Sequence, residues 1–515
     1  MTSTAEPLPG PAALDTTPRH VRVGIIGAGF AGLGAAIRLR REGIEDFVIW
    51  ERDGDVGGTW WANTYPGCQC DIPSHLYSFS FAPNPNWART YATQPEIEAY
   101  LRRVTDEYGL RPYVRTSCAV TGAAWDEEDD RWEVSTEQGD FTADVLVAAP
   151  GPLSEPSIPD IAGLDDFAGT TFHTADWNHD HDLTGRRVAV IGTGASAIQA
   201  VPEIQPQVES LTVFQRTPPW VVPHSDRPIT DAERAIYTRL PALQRAVRAG
   251  VYFGRELLVP GLAYRPKLMN IVETAARRHL ARQVRDPDLR ARLTPGYAIG
   301  CKRILPSNRW YPAITKPNVE LVTDGIDHIR PDGIVTRTGE LRQVDTIIFA
   351  TGFHVTDIRI AHRITGRTGA TLDTEWNGSP EAYRGTAVTN FPNLFFLVGP
   401  NTGLGHNSII FMIEAQVQYV MDALAHMDAA KATRVEVKAH AQRAYNEHIQ
   451  RKLATTVWNT GGCSSWYLDR NGRNATIWPD FTFRFRSRMR RFDPQAYELT
   501  AGTRAPAAQP GLAPA

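Results

Sequence analysis

The segment VRVGIIGAGFAGLGAAIRLRREG at residues 21–43 carries the clearest local indication of the fold. An apolar, β-branched run ends in a tight glycine turn, and apolar residues at helical spacing follow it. Gly27, Gly29 and Gly32 fit the pattern G-x-G-x-x-G. In that pattern the glycines let the backbone approach a pyrophosphate, and the helix N-terminus supplies N–H donors and a positive dipole. The stretch therefore predicts a strand, a turn and a helix that bind a dinucleotide.

The residue at the end of the next strand indicates which dinucleotide this is. That strand, DFVIWE at residues 46–51, ends in Glu51. A carboxylate at this point accepts hydrogen bonds from a ribose diol and repels a 2′-phosphate. The first site is therefore predicted to bind FAD or NAD, and a role of the glycines in packing alone is the structural alternative.

A second unit of the same kind, RRVAVIGTGASAIQAVPEI, occupies residues 186–204. Its turn supplies the candidate cofactor-binding residues Gly192, Thr193, Gly194, Ser196 and Ala197. The following strand, SLTVFQRTPPW at residues 210–220, ends near Arg216 rather than at an acid. A guanidinium there can pair with a 2′-phosphate, so the second site is predicted to prefer NADPH to NADH. A merely solvated surface charge is the alternative for Arg216.

Composition excludes several other classes of protein. The 515 residues are 42% apolar and 22% charged, which is ordinary for a globular protein with sizeable cores. A formal net charge of −3, without a long basic run, argues against nucleic-acid binding. We find no secretory signal and no stretch that could span a bilayer. The five scattered cysteines predict buried, inert thiols in a reducing cytoplasm rather than disulfides, and no metal site is predicted.

The predicted fold is α/β, with two Rossmann-like dinucleotide-binding domains for FAD and NADP and a helical insert in the NADP domain. The insert is suggested by helical periodicity in an Ala-, Arg- and Leu-rich region from about residue 225 to about residue 300. We predict disordered tails at 1–19 and 498–515, FAD-domain parts at 20–150 and 389–497, linker and NADP-domain parts at 151–222 and 331–388, and the insert at 223–330.

Two dinucleotide sites on one chain suggest a flavin that is reduced by NADPH. A disulfide reductase would carry a redox cysteine pair close behind the first glycine turn, and the sequence has none there. Transfer of the flavin's electrons to oxygen is therefore the favoured interpretation. A flavoprotein scaffold or redox-sensing module without catalysis is the non-enzymatic alternative.

Two longer motifs resemble fingerprints of a known family. The connection FAGTTFHTADWN at residues 167–178 spaces its Phe, Gly, His and Trp in a way that fits neither a helix face nor a strand face. It matches F-x-G-x-x-x-H-x-x-x-W, the fingerprint of the type I Baeyer–Villiger monooxygenases, and departs only at Asn178, where the family has Pro or Asp. GGTWWANTYPGCQCD at residues 57–71 matches a second family fingerprint in full. From about residue 20 to about residue 495 the chain resembles these enzymes of the flavin-containing monooxygenase superfamily.

The resemblance implies an activity. NADPH would reduce FAD, and the reduced flavin would capture O₂ as a C4a-peroxyflavin. This species would insert one oxygen next to a ketone carbonyl, giving an ester or lactone. Oxygenation of sulfur or nitrogen by the same peroxyflavin is the alternative, in which a thioether would give a sulfoxide or an amine would give a hydroxylamine. The expected partners are O₂ and a small molecule, and the expected state is a cytoplasmic monomer or homodimer.

The resemblance also implies residue roles. Arg303, in GCKRILP, matches the family's catalytic arginine, and Asp71 matches the carboxylate paired with it. For Asp71, capping of the segment that follows is the structural alternative. The positions that match NADP contacts are Arg216, Thr217, Lys302, Arg303 and Trp466, the last on a mobile segment. The further positions that match FAD contacts are Gly58, Thr59, Trp60, Asp71, Ile72, Tyr77 and Val120.

Two segments are left without catalytic chemistry. In the family, the linker that here carries Phe167, Gly169, His173 and Trp177 is thought to couple movements of the two domains. We therefore predict domain coupling, rather than proton transfer, for these residues. GPNTGLGHNS at residues 399–408 should return to the flavin, with His406 and Asn407 as candidates for the pocket wall.

Overall fold

The computed structural model describes residues 18–501, which form an α/β protein as predicted. Most strands belong to one eight-stranded and one five-stranded sheet. The eight-stranded sheet contains Arg19–Ile26, Phe47–Trp50, Val114–Arg115, Val120–Asp126, Arg131–Thr136, Gly139–Ala148, Ile364–Thr365 and Leu394–Phe396. The five-stranded sheet contains Thr170–His173, Arg187–Ile191, Ser210–Phe214, Val319–Val322 and Thr346–Phe349. The smaller sheets contain Val221–Val222 with Leu305–Pro306, Ile326–Arg330 with Gly333–Thr336 and Leu341–Gln343, and Arg434–Val437 with Tyr497–Thr500.

The first sheet is built around the strand Arg19–Ile26. This strand pairs in parallel with Phe47–Trp50 on one side and with Gly139–Ala148 on the other. Its residues are buried towards the carboxyl end, which is typical of a parallel strand covered by helices. The helix Phe30–Arg41 begins directly after the first glycine turn and packs against Ile409–Ala430. The sheet therefore places the first turn at the carboxyl end of a central strand, where α/β proteins bind ligands.

The second sheet repeats this arrangement. All of its strands are parallel, in the order Val319–Val322, Ser210–Phe214, Arg187–Ile191, Thr346–Phe349 and Thr170–His173. The second glycine turn follows the central strand and begins the helix Ala195–Ile204. Part of the linker is therefore an edge strand, although its spacing had suggested neither strand nor helix. It forms because its backbone pairs with Thr346–Phe349, a partner that lies more than 170 residues away.

The helices lie on the faces of the sheets and between them. The α-helices are Phe30–Arg41, Thr59–Ala62, Gln94–Glu107, Ala195–Ile204, Asp231–Arg239, Pro241–Glu256, Asn270–Gln283, Pro287–Arg292, Trp310–Ile314, Leu372–Trp376, Ile409–Ala430, Ala439–Leu453, Val457–Thr460 and Thr482–Met489. The 3₁₀ segments are Arg111–Tyr113, Leu164–Asp166, Pro266–Met269, Arg359–Arg363 and Pro494–Ala496, and Pro260–Tyr264 is a π-helix. Between residues 18 and 501, none of the helices combines the length and the apolar character that a membrane crossing requires.

Four boundaries differ from the sequence prediction. Ile364–Thr365, which the range 331–388 placed in the NADP domain, belongs to the eight-stranded sheet, because it pairs with Val120–Asp126. The range 223–330 was predicted as a helical insert, but Val319–Val322 within it is a strand of the second sheet, because it pairs with Ser210–Phe214. The last helix before this strand is the short helix Trp310–Ile314. Arg19 and residues 498–500 were placed in the tails, yet both belong to strands that find partners in the folded chain. The rest of the predicted tails, 1–17 and 502–515, lies outside the described residues.

The prediction of five free thiols is wrong. Cys301 and Cys463 form a disulfide, with Cα atoms 6.1 Å apart and 162 positions between them in sequence. Cys68, Cys70 and Cys118 are free and buried, as expected. Sequence spacing could not reveal the bonded pair, because a disulfide depends on how the fold brings distant segments together.

Candidate active site

The first glycine turn is shaped for close approach of a phosphate. Gly27 has φ +97°, and a Cβ on it would lie 2.6 Å from the Ala149 carbonyl oxygen. The Ala28 N–H donates to Glu51 Oε2 over 2.6 Å, so the acid at the end of the next strand holds the turn. Burial raises the pKa of Glu51. The lack of side chains at Gly27 and Gly29, together with the adjoining helix N-terminus, fits a dinucleotide such as FAD.

The second fingerprint packs directly on this turn. The Gly57 N–H donates to the Ala28 carbonyl over 3.0 Å. Gly58 has φ +54°, and a Cβ there would lie 3.1 Å from the Gly29 Cα. The Trp60 Nε1–H donates to the Tyr77 hydroxyl over 3.1 Å. The structure thus brings together the sequence-predicted residues Gly27, Gly29, Glu51, Gly58, Thr59, Trp60 and Tyr77.

The same fingerprint also reaches the second nucleotide unit. The Tyr65 hydroxyl donates to Gln199 Oε1 over 2.9 Å, and Gln199 Nε2 donates to the Gln69 carbonyl over 2.9 Å. Gly67 leaves no room for a side chain, since a Cβ would lie 2.7 Å from the Gln199 carbonyl oxygen. Gln199 belongs to the helix that begins at the second turn. Asp71, at the end of the fingerprint, therefore lies at the junction between the two units.

The second turn has the geometry of the first and a basic rim. Gly192 has φ +116°, and a Cβ on it would lie 2.4 Å from the Ala350 carbonyl oxygen. The Thr193 hydroxyl donates to the Thr217 carbonyl over 3.1 Å. Burial, together with the charge of Arg216, lowers the pKa of Lys302. Across residues 18–501 neither cation has a carboxylate partner, so the pair is free to receive an anion.

Arg303 and Asp71 form a bidentate ion pair at the junction. Arg303 donates from Nε to Asp71 Oδ2 over 2.5 Å and from Nη2 to Oδ1 over 2.6 Å. Its third contact, from Nη1 to the Leu404 carbonyl, is 3.0 Å long. Burial alone would raise the pKa of Asp71, but the charge and hydrogen bonds of Arg303 outweigh it and lower that pKa. The pair is therefore ionised, and a permanent positive charge is held in a fixed orientation.

Three groups at this pair are not among the residues predicted from the sequence. Arg255, from the helical insert, donates to the Asp71 carbonyl over 3.1 Å. The Leu404 carbonyl holds Arg303, as described above. Tyr467 is fully buried, and its pKa is raised to about 12 by burial, while the charge of Arg303 lowers it and that of Asp71 raises it. No local pattern marks these residues, because each reaches the site from a different segment of the chain.

The disulfide holds the segment that carries Trp466 next to the stretch GCKRILP at residues 300–306, the Arg303 loop. Cys301 precedes Lys302 directly, and Cys463 lies three residues before Trp466. The Trp466 side chain is 44% exposed and contacts the Tyr467 ring, with centroids 4.3 Å apart. Trp466 is therefore available at the surface beside the basic rim, and its contact with NADP stays a prediction.

The linker lies between the hydrophobic cores of the two units. Trp177 is partly buried and packs against both of them, and its ring meets Phe172 at 5.1 Å. Gly169 is closely surrounded, since a Cβ would lie 2.3 Å from the Asp345 carbonyl oxygen, with the Phe167 ring beside it. His173 Nδ1 accepts from the Ala175 N–H over 3.0 Å. Burial lowers the pKa of His173 to about 4, so the ring is neutral at pH 7 and poorly suited to act as a base.

Four other predicted residues occupy less direct positions. Ile72 is buried and its N–H points to Cys70 Sγ at 3.4 Å. Val120 is buried and its carbonyl accepts from Arg363 over 2.9 Å. Ser196 and Ala197 lie in the first turn of the helix after Gly194. Their cofactor contacts stay predictions.

Comparison with known proteins identifies the family. The chain is 53% identical over 482 residues to a protein of Streptomyces coelicolor named Baeyer-Villiger monooxygenase, and the match covers 93% of both chains. The chain belongs to the Baeyer–Villiger monooxygenases. The resemblance carried by the two fingerprints is therefore confirmed. Residues 24–254 also match the family model described as pyridine nucleotide-disulphide oxidoreductase.

Two solved structures have the same fold as this chain. Cyclohexanone monooxygenase from Rhodococcus sp. Phi1, bound to NADP+, superposes with a TM-score of 0.84 at 30% identity. A second structure, the OTEMO complex with FAD and NADP, gives a TM-score of 0.85 at 27% identity. Each match covers 94% of this chain and 100% of the other. Likeness over almost the whole chain includes both nucleotide units, the linker and the helical insert.

Proposed function

We propose that this chain uses FAD, NADPH and O₂ to insert one oxygen next to the carbonyl of a ketone, giving an ester or lactone. FAD binds at the first glycine turn and NADPH at the second. When bound, FAD would supply the redox chemistry, namely acceptance of hydride from NADPH and activation of O₂. The observation that carries the proposal is the bidentate pair of Arg303 and Asp71 at the junction of the two nucleotide units.

In this proposal, Arg303 supplies a fixed positive charge where negative charge develops on the reacting oxygens. Its guanidinium stays protonated, and the neighbouring carboxylate raises its pKa further. Preorganised charge in a site that excludes water stabilises such a transition state far more than it would in solution. Asp71 orients the guanidinium, and the buried Tyr467 lies close enough to the pair for its pKa to respond to both charges.

The experiment that tests the proposal follows the fate of NADPH. Purified, FAD-loaded protein is mixed with NADPH and a panel of cyclic, aromatic and linear ketones, and separately with a thioether. Loss of NADPH, release of hydrogen peroxide and product mass are recorded together. We expect an ester or lactone, heavier than the ketone by one oxygen, formed in step with NADPH consumption. Sulfoxide without any ester across the panel would instead assign the protein to heteroatom oxygenation.

Arg216 is expected to decide the choice between NADPH and NADH. Arg216→Ala should raise KM for NADPH by about tenfold to a hundredfold, because a charge-assisted contact to the 2′-phosphate is lost. KM for NADH, which has no such phosphate, should change by less than about twofold. Steady-state NADPH and NADH oxidation measures both.

The matched control is Arg309→Ala. Arg309 is also an exposed arginine, but it pairs with Glu203, near the carboxyl end of the helix Ala195–Ile204 and not at its N-terminal turn. Its removal should leave both KM values unchanged. An equal rise in the two KM values for Arg216→Ala would contradict the assignment of Arg216 to the phosphate.

A further inference from the structure

Glu256 is a buried carboxylate at an unfavourable place. It is the last residue of the helix Pro241–Glu256 and is only 5% exposed. Burial disfavours a carboxylate, and so does the negative end of a helix dipole. A charged group persists in such a position only when specific donors hold it, so the partners of Glu256 indicate what it is for.

Those partners come from the loop that returns towards the first nucleotide unit and from a C-terminal helix. Glu256 Oε1 accepts from Asn407 Nδ2 over 2.6 Å, from the Thr482 hydroxyl over 2.7 Å and from His406 Nε2 over 3.3 Å. Glu256 Oε2 accepts from the Thr482 N–H over 3.0 Å. Burial alone would raise the pKa of Glu256. These hydrogen bonds outweigh burial, so the pKa is lowered below its ordinary value. The carboxylate is therefore ionised and is fully engaged by this loop and helix.

The loop fixed by Glu256 also holds Arg303. Asn407 follows Leu404 by three residues, and the Leu404 carbonyl accepts from Arg303 Nη1 over 3.0 Å. Arg255, the residue before Glu256, donates to the carbonyl of Asp71, the other partner of Arg303. The end of the helix Pro241–Glu256 thus contacts both groups that hold the Arg303 guanidinium, namely Asp71 and the loop that contains Leu404.

We propose that Glu256 is a positioning residue for the monooxygenase reaction, an inference that rests on the proposed function. It holds residues 404–407 so that the Leu404 carbonyl keeps the Arg303 guanidinium in its orientation beside Asp71. A misplaced guanidinium still allows NADPH to be oxidised, but oxygen is then not inserted into the ketone. O₂ instead takes up the two electrons and two protons and leaves as hydrogen peroxide. Glu256 acts through Arg303 and does not touch the substrate.

The test compares Glu256→Gln with Asp480→Asn. Asp480 is a matched control, because it is also a buried carboxylate that ties the insert, through Tyr264, to the C-terminal region. Ester formed per NADPH consumed is measured with the best ketone of the panel. Hydrogen–deuterium exchange of a peptide covering residues 401–408 is measured in the FAD-loaded protein without NADPH or ketone.

In Glu256→Gln we expect about tenfold less ester per NADPH, because a charged acceptor is lost, together with more hydrogen peroxide and faster exchange of the 401–408 peptide. Asp480→Asn should melt at a lower temperature but keep the wild-type ratio and exchange. The inference is overturned if Glu256→Gln matches the wild type in ratio and exchange, or if Asp480→Asn lowers the ratio equally.

Two further outcomes keep the test decisive. If Glu256→Gln does not fold, Asn407→Ala removes one donor of the same contact and should shift ratio and exchange in the same direction. If it shifts neither, the positioning role is wrong. If the wild type makes no ester from any ketone, the proposed function fails, and the exchange of the 401–408 peptide still decides whether Glu256 fixes this loop.

Discussion

Replacing Arg303 by alanine is expected to lower ester formation by about a thousandfold, while FAD stays bound and NADPH is still oxidised. Losing one preorganised donor to a developing oxyanion commonly costs about a hundredfold to a thousandfold in rate. Asp71 would also lose its bidentate partner, and burial would then raise the pKa of its carboxyl group. Product mass, NADPH loss and hydrogen peroxide are measured in parallel.

Two other arginine variants give the prediction its controls. Arg303→Lys keeps the charge but loses the bidentate geometry, so its ester formation should lie between those of the wild type and Arg303→Ala. Arg384 lies elsewhere but has the same pattern of partners, donating to the Asp493 carboxylate over 3.1 Å and to the Arg488 carbonyl over 2.6 Å. Arg384→Ala should lower the melting temperature and leave the ester formed per NADPH unchanged. Wild-type ester formation by Arg303→Ala would remove Arg303 from the chemistry.

The fold and the two nucleotide units could be predicted from sequence because their signals are local. A glycine at positive φ, such as Gly27 or Gly192, is required by the turn itself. The helix begins only three residues further along the chain, so turn and helix can be recognised together. The strand Thr170–His173 could not be predicted in this way. Its pairing depends on Thr346–Phe349, and nothing within the linker specifies that partner. The same holds for Val319–Val322, which was placed in the insert.

The candidate site likewise contains residues that local sequence patterns predict and residues that they do not. Asp71 and Arg303 are 232 positions apart, and only the family resemblance suggested that they meet. Glu256 had no signal at all, since a glutamate in an amphipathic helix ordinarily faces solvent. Its burial follows from the contacts that it makes with His406, Asn407 and Thr482. Local patterns therefore predict where a cofactor can lie, whereas the residues that orient Arg303 emerge only from tertiary packing.

The last prediction concerns the bond between Cys301 and Cys463. Reduction by a small dithiol should lower the free energy of unfolding by about 3–5 kcal/mol, because a cross-link over so long a loop restricts the unfolded chain strongly. The two cysteines are 162 positions apart in sequence, and the bond joins the Arg303 loop to the segment that carries Trp466. Guanidinium unfolding with and without dithiol measures the change.

Cysteine variants separate this bond from a general effect of the reductant. Cys463→Ser should unfold at the same lower denaturant concentration whether or not dithiol is present. Cys118→Ser, which alters a buried free thiol, should respond to dithiol as the wild type does. Thiol titration of the denatured, unreduced protein should find three free thiols, since Cys68, Cys70 and Cys118 are unpaired. Five free thiols and coincident unfolding curves would mean that the bond does not form in solution. The Arg303 loop and the Trp466 segment would then be held together by the hydrogen bond from the Ala298 N–H to the Gly461 carbonyl, 2.9 Å long, and by side-chain packing such as that of the buried Tyr467 ring.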